Sequence, residues 1–170
     1  MNYPTPEEIL RRVRPVPTYR DHPATSACEI EGVGPDGSAV AVPIGGIGGI
    51  GGSGGTGGSG GTFLLLFLSA DCHGCRDLWD GTDALGRALP ATVRTVIVTR
   101  GPEHEDAGAI AALAPEGVTT VMSSAAYADY RVAGAPFMVL VAGDEVLTEG
   151  VAWGVAETAR AACQALAGTA

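Results

Sequence analysis

Short apolar segments alternate with amphipathic ones along most of this chain, and this alternation limits the folds that it can adopt. Residues 63–68 are continuously apolar, which is typical of a strand buried on both faces of a sheet. Residues 93–98 and 137–141 have the same character, and apolar residues recur at helical spacing between them. Strands that alternate with helices predict an α/β fold with three layers and a central mixed sheet.

The predicted elements after residue 62 follow one another in a definite order. They are strands at 63–68, 93–98, 117–122, 137–141 and 146–150, helices at 75–89, 104–114 and 155–167, and a helical turn at 125–130. The last two strands form a hairpin, because Gly143 and Asp144 favour a turn between them. The order predicts a strand–helix–strand unit followed by a hairpin and a closing helix.

The N-terminal part of the chain predicts a helix, a connector and a hairpin. Thr5 and Glu8 form a capping box at the start of the helix, and Pro15 ends it. We assign the helix and connector to residues 1–27. Apolar and polar residues then alternate over 28–42 around a Pro-Asp-Gly turn, which predicts an antiparallel hairpin.

Glycine dominates residues 45–61, where it occupies 12 of the 17 positions. The segment lacks the proline-rich triplets of collagen, and it runs into an apolar strand instead of the helix that a phosphate-binding loop requires. We expect a flexible linker with poor order and no chemistry, and either repeat expansion or engineering would produce it. The main domain, residues 28–170, is therefore interrupted at this point.

The charge balance excludes one class of partner. The chain has 19 acidic and 10 basic residues, a formal net charge of −9, and its basic residues are dispersed. Nucleic-acid binding needs clustered lysine and arginine, so we expect no nucleic-acid partner. We find no apolar stretch of signal-peptide length near the N-terminus and no run long enough to cross a bilayer, and expect the chain as given to be soluble.

The strongest chemical signal is the motif Cys72-His73-Gly74-Cys75, which follows a predicted buried strand and begins an amphipathic helix. A helix N-terminus stabilises a thiolate, and only the thiolate attacks a disulfide. The two intervening residues let the second sulfur reach back within the first turn. The motif therefore predicts a redox pair with Cys72 as the exposed nucleophile and Cys75 as the buried resolving thiol.

A zinc site is the main alternative for this motif. Structural zinc needs four ligands, usually from two paired motifs. The other candidates are Cys28, Cys163, His22, His73 and His104, and they contain no second pair. We therefore favour the redox pair and expect neither a bound metal nor a cofactor.

Two segments resemble the thioredoxin superfamily. The first is Phe63-Leu-Leu-Leu-Phe-Leu-Ser-Ala-Asp-Cys72-His-Gly-Cys75-Arg, and the second is Tyr130-Arg-Val-Ala-Gly-Ala-Pro136. Both are similar to the TlpA/MauD type of membrane-tethered bacterial thioredoxin-like proteins. The order of strands and helices matches over residues 28–167, apart from the glycine-rich linker.

This resemblance implies a role for several residues. Cys72 matches the nucleophile and Cys75 the resolving thiol. Pro136 matches a cis-proline that faces the redox pair, and Ala135 matches the residue whose backbone pairs with a substrate strand. His73 lies inside the motif, where we expect it to tune the redox potential.

The sequence also departs from the family pattern. Leu66 and Leu78 stand where these families carry a buried aspartate or a glutamate, so the usual base for the resolving thiol is missing. Asp71 replaces a common aromatic residue, and its charge opposes formation of the Cys72 thiolate, whereas His73 favours it. These opposing charges leave the direction of electron flow open.

The remaining cysteines and the two tryptophans carry further predictions. Cys28 lies on the inward register of the hairpin, and Cys163 lies on the apolar face of the last helix. We consider both a structural disulfide between them, which would favour an oxidising compartment, and two isolated buried thiols. Trp79 and Trp153 are interpreted as packing residues.

The predicted function is a thiol–disulfide oxidoreductase. The resemblance implies a monomeric reductase that acts on a partner protein with a disulfide or dithiol and receives electrons from a second redox protein. One alternative is an adaptor or metallochaperone that holds copper or zinc through the same thiols. A peroxidase is the weakest alternative, because Ser69 and Cys72 fit its motif but Leu65 replaces the required proline. If a leader or anchor preceded this chain, the resemblance favours the extracytoplasmic side of a bacterial membrane, and otherwise we expect the cytoplasm.

Overall fold

The computed structural model describes residues 26–45 and 61–169. The helix predicted to start at Thr5 and most of the glycine-rich segment lie outside these ranges. The described residues form one mixed seven-stranded sheet with the order β2-β1-β5-β4-β3-β6-β7. The strands are β1 (Ile30–Val33), β2 (Ala39–Val42), β3 (Thr62–Phe67), β4 (Val93–Thr99), β5 (Thr119–Met122), β6 (Phe137–Ala142) and β7 (Glu145–Val151).

Four α-helices cover the two faces of this sheet. They are α1 (Arg76–Ala88), α2 (Ala107–Leu113), α3 (Ser124–Asp129) and α4 (Val155–Ala167), and a 3₁₀ turn, His73–Cys75, leads into α1. Buried residues of α1, α2 and α4 belong to one apolar core, and those of α3 belong to the other. The predicted α/β fold with three layers and a mixed sheet is therefore confirmed. None of the described helices is long and apolar enough to cross a membrane.

Strand β3 lies at the centre of the sheet, where its apolar sequence requires it to be. It pairs with β4 in parallel and with β6 in antiparallel orientation. Leu64, Leu66 and Leu68 pack into the core under α1 and α4. Phe63, Leu65 and Phe67 pack into the opposite core. Both faces of the strand are thus buried, as its continuous apolar run predicts.

The register of the central strands brings three loops to one edge of the sheet. Because β3, β4 and β5 run parallel, their carboxyl ends meet at the same edge. Phe67 at the end of β3 pairs with Phe137 at the start of β6, so the residues before Phe137 lie beside those after Phe67. The Cys72–Cys75 motif, the loop after β4 and Pro136 are therefore neighbours.

The N-terminal hairpin forms as its sequence predicts. β1 and β2 pair in antiparallel orientation, and the Gly34 amide donates to the Ser38 carbonyl at 2.7 Å across the turn. Gly37 has φ +81°, a backbone conformation that glycine adopts without strain. The hairpin joins the sheet through one pair, Val33 with Met122.

Candidate active site

Cys72 and Cys75 are joined by a disulfide with a Cα–Cα distance of 5.3 Å. Cys72 has extended backbone angles and precedes the 3₁₀ turn, within which the Cys75 amide donates to the Cys72 carbonyl at 3.0 Å. Cys75 is fully buried under the sheet, whereas Cys72 is half-buried. A partner can therefore reach the sulfur of Cys72 but not that of Cys75.

The motif stands at the amino end of α1, as the sequence predicts. Free amide groups and the helix dipole at such an end stabilise a thiolate. His73 is exposed on the 3₁₀ turn, and Asp71 and Arg76 are exposed on either side of the motif. The charged groups beside the disulfide are thus in contact with solvent, which weakens the effect of each on the sulfurs.

Pro136 lies against the motif, and the Ala135–Pro136 peptide is cis. A Cβ atom placed on Gly74 would be 3.6 Å from Pro136 Cδ, which is van der Waals contact. The cis peptide that the resemblance implies is therefore present and is next to the redox pair. On its other side, the Pro136 carbonyl accepts a hydrogen bond from the Ala152 amide at 3.3 Å.

A cleft of about 480 Å³ opens beside Cys72. Its lining residues are Ser69, Asp71, Cys72, Arg100, His104, Glu105, Tyr127 and Ala135. The structure thus places Ala135, the residue expected to pair with a substrate strand, on the same cleft as the exposed sulfur. The cleft is lined by side chains of both signs of charge, the acidic Asp71 and Glu105 and the basic Arg100.

Sequence reasoning missed the residues that form the far wall of this cleft. The Tyr127 hydroxyl donates to the Leu68 carbonyl at 3.0 Å, and the Arg100 guanidinium lies over the Tyr127 ring at 4.8 Å. Burial raises the pKa of Tyr127 well above its usual value, against the opposing effect of Arg100, so the hydroxyl stays protonated and donates. The Ala70 amide donates to a Glu105 carboxylate oxygen at 3.4 Å.

The position of Arg100 and Glu105 follows from the sheet. Both lie in the loop after β4, Arg100 directly after the strand and Glu105 further along, and the carboxyl end of β4 lies beside that of β3. The rule that functional loops gather at the carboxyl ends of parallel strands was the signal that could have found them.

The structure also shows what surrounds Cys75 at the positions where the related families carry an acidic residue. Leu66 and Leu78 are both fully buried in the core that contains Cys75. Each position offers only apolar surface to the resolving cysteine. Trp79 is buried as predicted, and its indole N–H donates to the Ser69 carbonyl at 3.2 Å, which fixes the segment that leads into the motif.

The structure selects one of the two alternatives considered for Cys28 and Cys163, and it shows that the interpretation of Trp153 was wrong. Cys28 and Cys163 are both free thiols and do not form a disulfide. Cys28 packs against the core on the α3 side of the sheet and Cys163 against the core on the α1 side, so the sheet separates them. Trp153, interpreted as a packing residue, is 73% exposed.

The described residues contain no group of three or more His, Cys, Asp or Glu side chains arranged to hold a metal ion. In this part of the chain the two cysteines of the motif therefore belong to no such group. The chemistry that the arrangement offers by itself is exchange between the Cys72–Cys75 disulfide and an external thiol.

Comparison with solved structures shows that this is a thioredoxin-like fold. The chain is similar to StoA from Bacillus subtilis, with 16% identity and a TM-score of 0.58 over 83% of this chain and 99% of that one. It is similar to a secreted Mycobacterium tuberculosis disulfide oxidoreductase homologous to Escherichia coli DsbE, with 13% identity and a TM-score of 0.56 over 81% and 95%. It also matches the thioredoxin domain of a thiol–disulfide oxidoreductase from Bacteroides vulgatus, with 17% identity and a TM-score of 0.54 over 76% and 89%.

These neighbours have the fold that the resemblance implies, and at these identities the comparison concerns the fold alone. Sequence comparison adds nothing further, since no protein-family model and no curated protein matches the chain.

Proposed function

We propose that this chain is a thiol–disulfide oxidoreductase that reduces a disulfide of a partner protein through Cys72 and Cys75. The observation that carries the proposal is the disulfide between a reachable and a fully buried sulfur at the amino end of α1, directly beside Pro136. The neighbours that are thiol–disulfide oxidoreductases by name support the same class of chemistry.

The reaction starts from the reduced dithiol. The Cys72 thiolate attacks one sulfur of the substrate disulfide, a Cys72–substrate bond forms, the substrate S–S bond breaks, and one substrate thiolate leaves. Cys75 then attacks Cys72 Sγ and releases the second substrate thiol. The two electrons lost by the cysteine pair appear as two substrate thiols. The Cys72–Cys75 disulfide of this structure is the oxidised form of the pair. A second protein with a reduced dithiol converts it back to two thiols, and its own dithiol becomes a disulfide.

The apolar surroundings of Cys75 affect the second step. Neither Leu66 nor Leu78 can accept the Cys75 proton, and burial disfavours its thiolate. The thiolate that left in the first step is a strong base, so it takes this proton as it becomes a thiol. Ala135 aligns the substrate by backbone hydrogen bonds along the cleft, and His73, exposed within the motif, tunes the redox potential of the pair.

We also propose that the protein is a monomer and that it works outside the cytoplasm if a leader or anchor precedes this chain. The secreted Mycobacterium tuberculosis neighbour supports this location, and a reductase there depends on a separate electron donor. Because Cys28 and Cys163 are free thiols, they give no support for an oxidising compartment.

Reduction of insulin with dithiothreitol as the electron source tests the proposal. We expect turnover by the wild type and none by Cys72→Ser, since the attacking sulfur is gone. Cys75→Ser should accumulate a mixed disulfide between Cys72 and insulin, visible on a non-reducing gel. Cys163→Ser is the matched control, because this thiol lies next to the Ala88 carbonyl at the opposite end of α1. Full activity of Cys72→Ser would refute the mechanism.

The reduction potential of the pair decides the direction. A value near that of thioredoxin, about −270 mV, agrees with a reductase, whereas a value near −120 mV, about that of DsbA, would indicate an oxidase. A protein that binds copper(I) or zinc at one ion per chain but reduces no disulfide would favour the metallochaperone instead.

A further inference from the structure

The far wall of the cleft carries two side chains of opposite charge that the proposed reaction does not use. Arg100 and Glu105 are both partly buried, and both line the cleft together with Cys72. Within residues 26–45 and 61–169, neither of them forms an ion pair. No neighbouring charge in this part of the chain therefore neutralises either residue, and both can act on the sulfur that shares the cleft with them.

Several contacts hold Arg100 at this wall. Its guanidinium lies 4.8 Å from the centroid of the Tyr127 ring, whose face attracts a cation, and it donates to the Ala133 carbonyl at 3.4 Å. Tyr127 is buried, and its hydroxyl donates to the Leu68 carbonyl at 3.0 Å. Arg100 thus rests on a fixed ring of α3 and reaches the segment that leads to the cis-proline.

Glu105 is tied to the segment that leads into the motif. One of its carboxylate oxygens accepts from the Ala70 amide at 3.4 Å, and Ala70 is two residues before Cys72. The loop that carries Glu105 is compact, because the His104 and Glu105 amides both donate to the Gly101 carbonyl, at 2.9 and 3.0 Å. The carboxylate is therefore held on the same side of the motif as the cleft.

Both charges already act on a buried group of this wall. Burial is the main reason why the pKa of Tyr127 is raised, whereas Arg100 lowers this pKa and Glu105 raises it further. The other charged side chains around the motif are exposed, and solvent weakens their effect. These are Asp71 and His104 on the cleft, His73, Arg76 and Asp77 on the turn and α1, and Arg131 before the cis-proline. Arg100 and Glu105 are thus the partly buried charges of the cleft.

We propose that Arg100 stabilises the Cys72 thiolate across the cleft and that Glu105 opposes it, so that these two residues set the reduction potential of the pair. This inference rests on the proposed function and deepens it, since it concerns the reduced form that attacks a disulfide. A nearby cation favours a thiolate and a nearby anion disfavours it. A stabilised thiolate favours the reduced form over the disulfide, so Arg100 makes the pair a weaker reductant and Glu105 makes it a stronger one.

The test compares wild type with Arg100→Gln and Glu105→Gln in the fully reduced protein. The rate at which iodoacetamide alkylates Cys72, followed by mass spectrometry as a function of pH, gives the pKa of this thiol. We expect Arg100→Gln to raise this pKa by about one unit and Glu105→Gln to lower it. Equilibration with dithiothreitol buffers, at a pH where Cys72 is ionised in all three proteins, gives the potential. A tenfold loss of thiolate stabilisation in Arg100→Gln lowers the potential by about 30 mV, and Glu105→Gln should raise it.

Two further variants serve as controls. Arg100→Lys keeps the positive charge and should keep the pKa of Cys72 and the potential near their wild-type values. Arg76→Gln removes an exposed arginine that directly follows the motif, and we expect a smaller shift than in Arg100→Gln because solvent screens its charge. Thermal unfolding of all the oxidised proteins checks that each of them folds.

The outcomes separate this inference from the proposed function, because neither measurement uses a protein substrate. An unchanged pKa and potential in Arg100→Gln, in a chain whose wild type reduces insulin, would overturn the role of Arg100 alone. The same shift in Arg100→Lys as in Arg100→Gln would show an effect of packing on Tyr127, and a shift of the same sign in Glu105→Gln would show a general disturbance of the cleft. Either result would refute the inference, as would an equal shift in Arg76→Gln. A wild type that reduces no insulin, with the expected shifts present, would overturn the proposed function and leave the inference supported.

Discussion

Removing one oxygen atom from Tyr130 tests how the start of the described chain is attached to the fold. Tyr130 is fully buried, and its hydroxyl donates to the Cys28 carbonyl at 2.7 Å and accepts from the Cys28 amide at 3.0 Å. The two residues are 102 positions apart in the sequence. Tyr130→Phe keeps the ring packed against Phe67, at a centroid distance of 5.8 Å, and removes both hydrogen bonds.

The expected loss follows from the number of bonds removed. A hydrogen bond between neutral groups contributes about 1 kcal/mol to stability, so Tyr130→Phe should cost about 2 kcal/mol. Tyr127→Phe is a matched control, since Tyr127 also packs on Phe67, at 5.0 Å, but its hydroxyl makes one bond, to the Leu68 carbonyl. It should cost about 1 kcal/mol. In a chain of this size these losses correspond to Tm decreases of about 4–8 °C and about 2–4 °C.

Urea unfolding of the oxidised proteins measures both free energies, with m-values compared to check that the same surface is exposed on unfolding. If Tyr130→Phe loses no more stability than Tyr127→Phe, the double hydrogen bond to Cys28 does not hold the chain and the reasoning is refuted.

The cysteines and the glycine-rich segment give two further predictions. The oxidised protein, once denatured, should show two thiols per chain in a thiol titration, because Cys28 and Cys163 are unbonded, and four thiols after reduction. A count of zero before reduction would show that Cys28 and Cys163 form a disulfide. Burial and the nearby Asp129 carboxylate raise the pKa of Cys28, so its alkylation in the native oxidised protein should begin at higher pH than that of an ordinary thiol. Replacing residues 45–61 with a different glycine- and serine-rich linker of the same length should leave kcat/KM within about twofold. The segment precedes the start of β3, whereas the motif follows the other end of this strand, about 20 Å away. A large loss of activity with the fold intact would contradict this.

Local chemistry in the sequence predicted most of the elements that build the site. The apolar run at 63–68, the two cysteines and the helix after them form one continuous signal, and the structure contains β3, the 3₁₀ turn and α1 in that order. The last helix was predicted at its observed bounds, Val155–Ala167. The prediction at 104–114 was too long at its start, because the Asp106 side chain accepts from the Ala109 amide at 2.7 Å and so begins α2 later.

Contacts between distant parts of the chain could not be predicted from local sequence. Alternation along a strand shows which residues share a face, but it does not show which of two faces a given helix covers. The sequence pattern predicts that Cys28 and Cys163 both face the interior. Only the structure shows that they pack against different cores, on opposite faces of the sheet. The hairpin is placed by contacts between residues distant in sequence, the pair between Val33 and Met122 and the hydrogen bond from the Ser123 hydroxyl to the Glu31 carbonyl, and local sequence does not predict either of them.

The two tryptophans show how the same residue type acquires opposite roles beside one disulfide. Trp79 lies on the apolar face of α1 with Leu78 and Leu85, so its ring is buried and its N–H is directed to the Ser69 carbonyl, where it fixes the approach to the motif from inside. Trp153 has no helical neighbours to share a face with, because the chain turns at Gly154 before α4 begins. Because the Ala152 amide donates to the Pro136 carbonyl, the backbone next to Trp153 is held beside the cis-proline.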